Sequence, residues 1–359
     1  MAEIKGIGSM QIQTVVMIII ALLLCKSAEA EVRLNGFASA VVGRVIEGEE
    51  FLADFPKTGI YDTRLSLDPD TSLGVQLSSY FTADFSLIAQ ASVHGAEDYD
   101  PRVDWLYLNY YLTPELSLQL GRKRLPLYYY SDYFDVGYAY YWIRPPPDVY
   151  TWQITNYNGV SLLYETAISQ WDASLNLYYG SEESEDNQLL GLLFGARVDE
   201  TWKNMIGIVG TVSNRWLEIR LTHMQGLIDR KISGVSVIND IKQQFLGLSV
   251  NLTINNLLVL SEFNNYRQPD NDVDYNAYLL SFGYQIGAIT PHITRSGFRQ
   301  EINAVGNDEK HHTTSIGLRW DVVDNIAVKI QFDKVIDEGV VVPIKGDSES
   351  ISLGMDFVF

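Results

Sequence analysis

The sequence SISLGMDFVF, residues 350–359, alternates between apolar side chains and mostly polar or small ones. Successive side chains of an extended strand point to opposite faces, so the apolar set would form one continuous face. Its members are Ile351, Leu353, Met355, Phe357 and Phe359. Strands of about 9–11 residues with this alternation cross membranes, with lipid on one face and water on the other. The stretch therefore predicts a membrane-spanning β-strand.

The same alternation recurs in fifteen further stretches and predicts a sixteen-stranded, all-β protein. These stretches are residues 34–44, 73–81, 85–93, 103–112, 116–122, 159–165, 171–179, 204–212, 216–223, 245–253, 257–266, 276–286, 291–299, 313–322 and 327–334. Inside hydrocarbon every backbone N–H and C=O must be paired within the protein, which strands achieve only when the sheet closes on itself. We therefore predict a transmembrane antiparallel β-barrel of about 16 strands.

The connections between these stretches alternate in length. The short set comprises residues 82–84, 113–115, 213–214, 254–256, 287–290 and 323–325. The long set is polar and acidic and comprises residues 46–72, 94–102, 123–158, 180–203, 225–244, 267–275, 300–312 and 335–349. Short turns at one end and long loops at the other are typical of a transmembrane barrel. A soluble Greek-key sandwich has no reason to keep this asymmetry.

One apolar stretch, QLLGLLFGARV at residues 188–198, does not fit the count. As a seventeenth strand it would place the two chain ends on opposite sides of the membrane, whereas bacterial barrels have even strand numbers. We therefore place it in the fourth long connection, as a small hairpin or flap.

The first thirty residues have the composition of a signal peptide. Residues 15–24 are almost continuously apolar but too short for a membrane helix, and Ala28-Glu29-Ala30 is a cleavage site of the A-x-A type. Cleavage there predicts an exported chain of residues 31–359. The alternative is a lipoprotein modified at Cys25, although the bulky Leu24 precedes that cysteine. The exported chain has no cysteine, so its stability requires a source other than disulfides, such as a closed hydrogen-bond network.

Charge and strand number bound the function. The net charge of −19 argues against nucleic acid as a partner, since phosphates require Lys and Arg. Sixteen strands leave an aqueous channel, whereas about eight are filled by side chains. Charges on the predicted inward faces support a water-filled lumen, because each would cost several kcal/mol unpaired in a dry core. The alternative is that they pair with one another in a plugged interior. The predicted pore-lining residues are Glu218, Arg220, Arg319 and Lys329.

Residues 123–158 form the longest connection and follow a strand that ends in Leu120-Gly121-Arg122. A strand that ends in Gly-Arg and enters the third, longest loop is similar to the general porin family of Gram-negative outer membranes. The chain also resembles that family in strand number and in its terminal Phe359. The resemblance implies that the loop bends inward and constricts the pore. It further implies a homotrimer in the outer membrane, in contact with lipid and lipopolysaccharide, that passes small hydrophilic solutes by diffusion.

The loop differs in sequence from that of enterobacterial porins. Their acidic Pro-Glu-Phe-Gly-Gly-Asp type tip is replaced here by WIRPPPDV at residues 142–149, which indicates a branch with an atypical, Tyr- and Pro-rich loop. A loop of this length is normally functional or disordered. Disordered segments have few aromatic residues, whereas residues 128–142 are crowded with them. We therefore expect the loop to pack against the inner wall.

Acidic and basic residues lie close together in and beside this loop. Across a narrow pore, opposite charges create a transverse field that filters solutes by charge and dipole. The predicted constriction residues are Arg122, Lys123, Arg124, Asp132, Asp135, Arg144 and Asp148. The alternative is a surface loop whose charges are solvated. These charges and the acidic loops leave both cation and anion preference open.

No residue pattern predicts a cofactor, a metal site or a catalytic site. The pair His311-His312 and the acidic run at residues 270–274 lack the spacing of metal ligands. His223, near Glu218 and Thr222, is the only candidate for a catalytic base, and no partner pattern supports it. We therefore expect a porin and not an enzyme. Two other classes stay open: a closed outer-membrane barrel that serves as an adhesin or structural anchor, and an outer-membrane hydrolase that would need His223.

Overall fold

The computed structural model describes residues 31–302, 309–339 and 346–359. The predicted signal peptide, its alternative at Cys25 and parts of the last two long connections lie outside these residues. Sixteen antiparallel strands close one barrel. All strands except β2 and β3 belong to it, and in chain order they are β1 (Glu31–Glu47), β2 (Phe51–Asp54), β3 (Gly59–Tyr61), β4 (Ser72–Tyr80), β5 (Phe85–His94), β6 (Arg102–Thr113), β7 (Leu116–Arg124), β8 (Asn156–Ile168), β9 (Trp171–Ser184), β10 (Val198–Ser213), β11 (Leu217–Ile232), β12 (Val235–Ile254), β13 (Leu257–Gln268), β14 (Val273–Tyr284), β15 (Ile289–Ile302), β16 (Glu309–Val323), β17 (Ile326–Asp337) and β18 (Ser348–Val358).

The barrel closes where β1 pairs with β18. Gly36 and Phe359 exchange two backbone hydrogen bonds of 3.0 Å, which extend this pairing to the last residue. On β18, Leu353 and Met355 are each 49% exposed on the outer face, whereas Ser352, next to Leu353, is 1% exposed. The predicted terminal strand and the predicted sixteen-stranded antiparallel barrel are therefore confirmed.

The outer surface of the barrel is apolar. On β9, for example, Leu175, Leu177 and Tyr179 point outward and are exposed, while Tyr178 points inward and is buried. In water, such exposed apolar area costs about 25 cal/mol per Å² relative to an apolar environment. An apolar exterior on a closed barrel therefore suits surroundings of hydrocarbon.

The prediction of a fifth long connection at residues 225–244 is wrong. β11 and β12 continue to a two-residue turn, in which Ser233 and Gly234 have φ of 50° and 79°. The charges that suggested a loop pair across strands instead, as Lys203 Nζ on β10 does with Asp229 on β11 at 2.5 Å. Charged residues are compatible with strands that run beyond the hydrocarbon, and the alternating apolar pattern does not mark such extensions.

Residues 188–198 are not a barrel strand, as predicted, but they are not a hairpin or flap either. They contain a short helix, α1 (Gln188–Phe194), and the first residue of β10. The Asn187 side chain caps the helix by accepting a hydrogen bond from the Leu190 amide (3.0 Å), and Gly195 at φ 62° ends it. Within the described part of the chain, no helix is both long and apolar enough to cross a membrane.

Two long connections form structure near the barrel interior. In the first, hairpin β2–β3 buries Phe51 and Tyr61 against Val45 of β1. The third is shorter than the predicted 123–158, because β7 runs to Arg124 and β8 begins at Asn156. Lys123 and Arg124 are therefore strand residues.

Candidate functional site

The third connection, residues 125–155, lies on the inner side of the barrel wall, and we call it the inserted segment. The Tyr141 hydroxyl donates to Ser281 Oγ on β14 (2.7 Å), and Trp142 Nε1 donates to Thr294 Oγ1 on β15 (2.8 Å). Ser281 and Thr294 are buried, while the residues beside them in each strand are exposed on the outer face. The segment therefore contacts the lumen face of the wall.

The inserted segment reaches the far end of the barrel. The Tyr138 hydroxyl donates to the carbonyl oxygen of Asp324 (2.7 Å), which lies in the short turn between β16 and β17. Arg319 on β16 donates to the carbonyl oxygens of Tyr138 and Tyr140 (2.7 and 2.8 Å). The segment thus enters at the long-connection end and extends to the short-turn end.

Aromatic packing fills the space between the segment and the wall. The ring of Trp152 meets Phe245 of β12 and Tyr266 of β13 edge-on, with centroids 5.4 and 4.8 Å apart. Tyr128 also contacts Phe245 edge-on, at 5.5 Å. Such pairs contribute about 0.5–1.5 kcal/mol beyond the area they bury. This core explains why the connection is so rich in aromatic residues.

Lys329 on β17 holds the tip of the segment. Its Nζ donates to the carbonyl oxygens of Gly137 and Trp142 and pairs with Asp356 of β18, each at 2.7 Å. A side chain at Gly137 would collide with Asp356 and with Ser39 of β1. The segment therefore lies directly against the strands at which the barrel closes.

Arg144 anchors the return limb of the segment to two other parts of the chain. Its guanidinium donates to both carboxylate oxygens of Asp70 in the first connection (2.9 Å), to Asp333 of β17 (2.9 Å) and to Ser352 of β18 (2.7 Å). Burial alone would lower the pKa of Arg144, but the charges of Asp70 and Asp333 raise it above its ordinary value.

Asp148 forms a second anchor of the return limb. It accepts hydrogen bonds from Ser296 of β15 (2.5 Å) and from Nδ1 of His311 on β16 (2.6 Å). Burial alone would raise the pKa of the Asp148 carboxyl, but the hydrogen bond and charge of His311 lower it below its ordinary value. Asp148 is therefore ionised and fixed to the wall.

A buried charge cluster forms where the segment meets the first connection. Asp135 pairs with Arg124 of β7, with Lys57 between β2 and β3 (3.3 Å) and with His94 of β5 (3.6 Å). Burial alone would raise the pKa of the Asp135 carboxyl, but the charges of Arg124 and Lys57 bring it well below its ordinary value. Lys57 also pairs with Asp54 (3.0 Å).

Five of the predicted constriction and pore-lining residues do not face open space. Each is buried and has an oppositely charged or protonatable partner, and the five are Arg124, Asp135, Arg144, Asp148 and Lys329. A sixth, Arg319, is bound to Asp321 (2.7 Å) and to carbonyl oxygens of the segment. Proximity in sequence suggested a charged rim, but only Arg124 and Asp135 pair with each other, and the other three pair with residues of β16, β17, β18 or the first connection. Their role in the structure is to anchor the segment.

The remaining predicted residues leave a smaller set near the lumen. Arg122 is bound to Glu182 of β9 (2.8 Å). Lys123 donates to Gln119 and Ser161 and has, among the described residues, no carboxylate within 4.0 Å. Asp132, on the segment, is exposed and equally has no basic partner within 4.0 Å in the described ranges.

Tyr133, Glu218 and Arg220 extend this set. Tyr133 is 57% exposed beside Asp132. Partial burial and the charges of Asp132 and Glu218 raise the pKa of Tyr133 above its ordinary value. Arg220 on β11 donates to the carbonyl oxygen of Pro126 (3.0 Å). We call Lys123, Asp132, Tyr133, Glu218 and Arg220 the aperture residues.

A polar cavity of about 460 Å³ lies at the short-turn end of β8, β9 and β10. Its lining consists of two carboxylates, four hydroxyls and one methyl group, from Glu165, Thr166, Asp172, Ala173, Ser174, Thr211 and Ser213. Glu165 and Asp172 are exposed and, within residues 31–302, 309–339 and 346–359, have no basic group within 4.0 Å. Alternation predicts that both point inward, but no pattern in the sequence marks a cavity.

The structure supports neither a catalytic base at His223 nor, among the described residues, a metal site. His223 pairs in register with Ile208 and Leu246 on the exposed outer face, while Thr222 is buried on the inner face. Sequence proximity to Glu218 thus does not bring the two side chains together. In the described part of the chain, no three His, Cys, Asp or Glu residues are arranged to hold a metal ion.

Neither a protein-family profile nor a curated protein matches the sequence. Solved structures do match the fold. OmpF of Salmonella typhi, in complex with daunomycin, has a TM-score of 0.63 at 14% identity, over 91% of this chain and 97% of its own. The fold is that of outer-membrane porins. The anion-selective porin from Comamonas acidovorans has a TM-score of 0.61 at 13% identity, over 92% of this chain and 100% of its own. OmpT of Vibrio cholerae has a TM-score of 0.61 at 11% identity, over 93% of this chain and 99% of its own.

Proposed function

We propose that the protein is an outer-membrane porin, a water-filled channel for passive diffusion of small hydrophilic solutes or ions. The observation that carries the proposal is a closed sixteen-stranded barrel with an apolar exterior and with inner-face charges that, among the described residues, have no oppositely charged group within 4.0 Å. Unpaired charges are stable only where water solvates them. The porin fold of the structural neighbours supports the same function.

The inserted segment is the constriction of this channel in our proposal. It contacts the lumen face of the wall and presents Asp132 and Tyr133 on its exposed side. Lys123, Glu218 and Arg220 belong to strands of the barrel wall, so the aperture has an acidic group on the segment and two basic groups and one acidic group on the wall. Opposite charges across a narrow passage create a transverse field that orders water and discriminates among solutes by their dipoles.

We propose a homotrimer in the outer membrane, in contact with lipid and lipopolysaccharide, after signal-peptide cleavage near Ala30. A solved OmpT of Vibrio cholerae described as a trimer form has a TM-score of 0.58 at 11% identity, over 92% of this chain and 99% of its own. On the outer face of β1, Ala38 and Ala40 allow a neighbouring subunit to approach closely, whereas Gly36 is covered by the Phe359 ring. Chemical cross-linking in detergent should give a trimer band, and a monomer alone would contradict this assembly.

Planar-bilayer recording tests the channel. Folded protein should insert in discrete conductance steps, and deletion of residues 128–147 should make each step larger, because the segment no longer narrows the lumen. The barrel pattern of the deletion variant in circular dichroism and its heat-modifiable mobility on gels establish that it still folds. Absence of any steps from folded wild type would contradict the proposal.

A closed barrel that serves as an adhesin or structural anchor is the second candidate, and the extensive buried packing of the segment favours it. It predicts no conductance from folded wild type and unchanged surface binding after deletion of residues 128–147. We propose no enzymatic activity. Substitution of His223, which lies on the outer face, should leave any hydrolysis by the preparation unchanged, and loss of turnover would support a hydrolase.

A further inference from the structure

We infer that charge selectivity is set at the short-turn end of the lumen, by Glu165, Asp172 and Glu218, and that it favours cations. The inference rests on the proposed channel function and assigns its selectivity to named residues. It places the deciding charges outside the inserted segment.

The first step is that most charges of the segment are already compensated. Asp135, Arg144 and Asp148 are buried and lie within hydrogen-bond or ion-pair distance of oppositely charged or protonatable partners. A compensated pair contributes only a weak field at the distance of a passing ion. Asp132 is the exposed carboxylate of the segment, and the basic side chains of Lys123 and Arg220 flank the same aperture.

The second step is the arrangement of strands around the cavity. Ser213 lies opposite Glu218 and Thr211 lies opposite Arg220 in the pairing of β10 with β11. On the other side of β10, Ser213 lies opposite Asp172. Because cross-strand partners share a face of the sheet, Glu218 and Arg220 border the cavity that Glu165 and Asp172 line.

The third step is the position of the segment tip. Tyr138 is bound to Asp324 in the turn between β16 and β17, and these strands lie across the ring from β8–β11. At the short-turn end the tip therefore lies against the wall opposite the cavity, and Pro126 is the part of the segment that contacts Arg220 on the cavity side. Solutes that pass this end meet the cavity wall and not the anchored face.

The fourth step is the balance of charge on that wall. Three carboxylates face one guanidinium, and the Arg220 guanidinium is partly engaged by the carbonyl of Pro126. A passage lined by one sign of charge concentrates counter-ions, here cations.

Reversal potentials under a KCl gradient test the inference in the full-length porin. Wild type should prefer cations, and E165Q/D172N should lower the cation-to-anion permeability ratio by at least about twofold. The matched control is D132N, which removes one carboxylate from the segment and should change the ratio less. Permeability ratios are compared only between wild type and variants that match it in single-channel conductance and in heat-modifiable mobility. The mobility reports that the variant is folded.

Three results would overturn the inference. They are an anion-selective wild type, an unchanged ratio in folded E165Q/D172N channels, and a larger change from D132N than from E165Q/D172N. A folded wild-type protein that never conducts would contradict the porin function itself and, with it, this inference. E218Q provides a second variant, and it should shift the ratio in the same direction as E165Q/D172N.

Discussion

At the scale of single residues, the charges inside this barrel divide into two groups. One group is buried in ion pairs and fixes the inserted segment, as Arg144 does with Asp70 and Asp333. The other group faces water and has no oppositely charged group within 4.0 Å in the described part of the chain, and Glu165 and Asp172 belong to it. Residues of the same type therefore serve different purposes, and burial together with partners decides which.

Removal of Arg144 should strongly destabilise the protein. In Arg144→Met, two buried carboxylates lose their partner, and such losses cost about 3–5 kcal/mol. Thermal unfolding in detergent, followed by circular dichroism, measures the change. Arg299 is a suitable control, since it is 65% exposed in its pair with Glu301, and Arg299→Gln should leave the unfolding temperature nearly unchanged. Equal effects of both variants would show that Arg144 is not an anchor.

The cluster around Asp135 should make the segment sensitive to strong acid but not to mild acid. In the folded protein, the charges of Arg124 and Lys57 hold the pKa of the Asp135 carboxyl well below its ordinary value. The stabilisation is therefore complete above about pH 4, the unfolded pKa, and is lost as pH falls through the lower folded pKa. Protease cleavage within residues 125–155 should begin only below about pH 4. In Asp135→Asn cleavage should already occur at neutral pH, and resistance there would contradict the anchor role.

At the scale of elements, the inserted segment is held along its whole length and not at its ends alone. Contacts to β14 and β15 fix its middle, and Lys329 and Asp324 fix its tip. Its backbone also approaches the wall closely at Gly137, where no side chain fits. The segment is thus packed as part of the folded core.

Gly137→Ala should displace the segment tip. The added methyl group would meet Asp356 and Ser39, and overpacking typically costs about 1–3 kcal/mol. We expect a lower unfolding temperature and altered single-channel conductance. Gly210 on β10 is the matched control, because a methyl group there has nothing within 4 Å. If Gly210→Ala had the larger effect on conductance, close packing at the tip would not be the cause.

The strands were predictable because a wall between lipid and water forces a period of two on the sequence. The hairpin of β11 and β12 beyond that wall was not, since paired charges such as Lys203 and Asp229 replace the apolar pattern there. The side chains that bind the inserted segment could not be predicted from the sequence either. Arg144 and Asp70 are distant in sequence, and no periodicity links them. Periodic patterns reveal an element, whereas tertiary pairing depends on how elements fold together.

At the scale of the whole molecule, the barrel reverses the arrangement of a soluble protein. Apolar side chains cover its exterior, and many of its buried polar side chains lie between the wall and the inserted segment. Backbone pairing around a closed ring leaves no free edge among the sixteen strands. Stability therefore depends on the ring being complete.

Deletion of Phe359 should impair ring closure. It removes two backbone hydrogen bonds to Gly36 and the ring that covers that glycine. Folding into lipid vesicles, measured as the fraction with heat-modifiable mobility, should be slower and less complete. Phe359→Tyr keeps the hydrogen bonds and the aromatic ring, so it should fold like wild type. Normal folding of the deletion variant would show that closure does not need the last residue.

The anchors of the inserted segment have a consequence for the order of events during assembly. The segment is synthesised before the midpoint of the chain, but Lys329, Asp333, Ser352 and Asp356, which bind it or its anchors, belong to the last two strands. Until those strands arrive, the part of its binding surface that they supply does not exist. The segment can therefore reach its final position only at or after ring closure, and a newly inserted barrel passes through a stage with a wider, unobstructed interior.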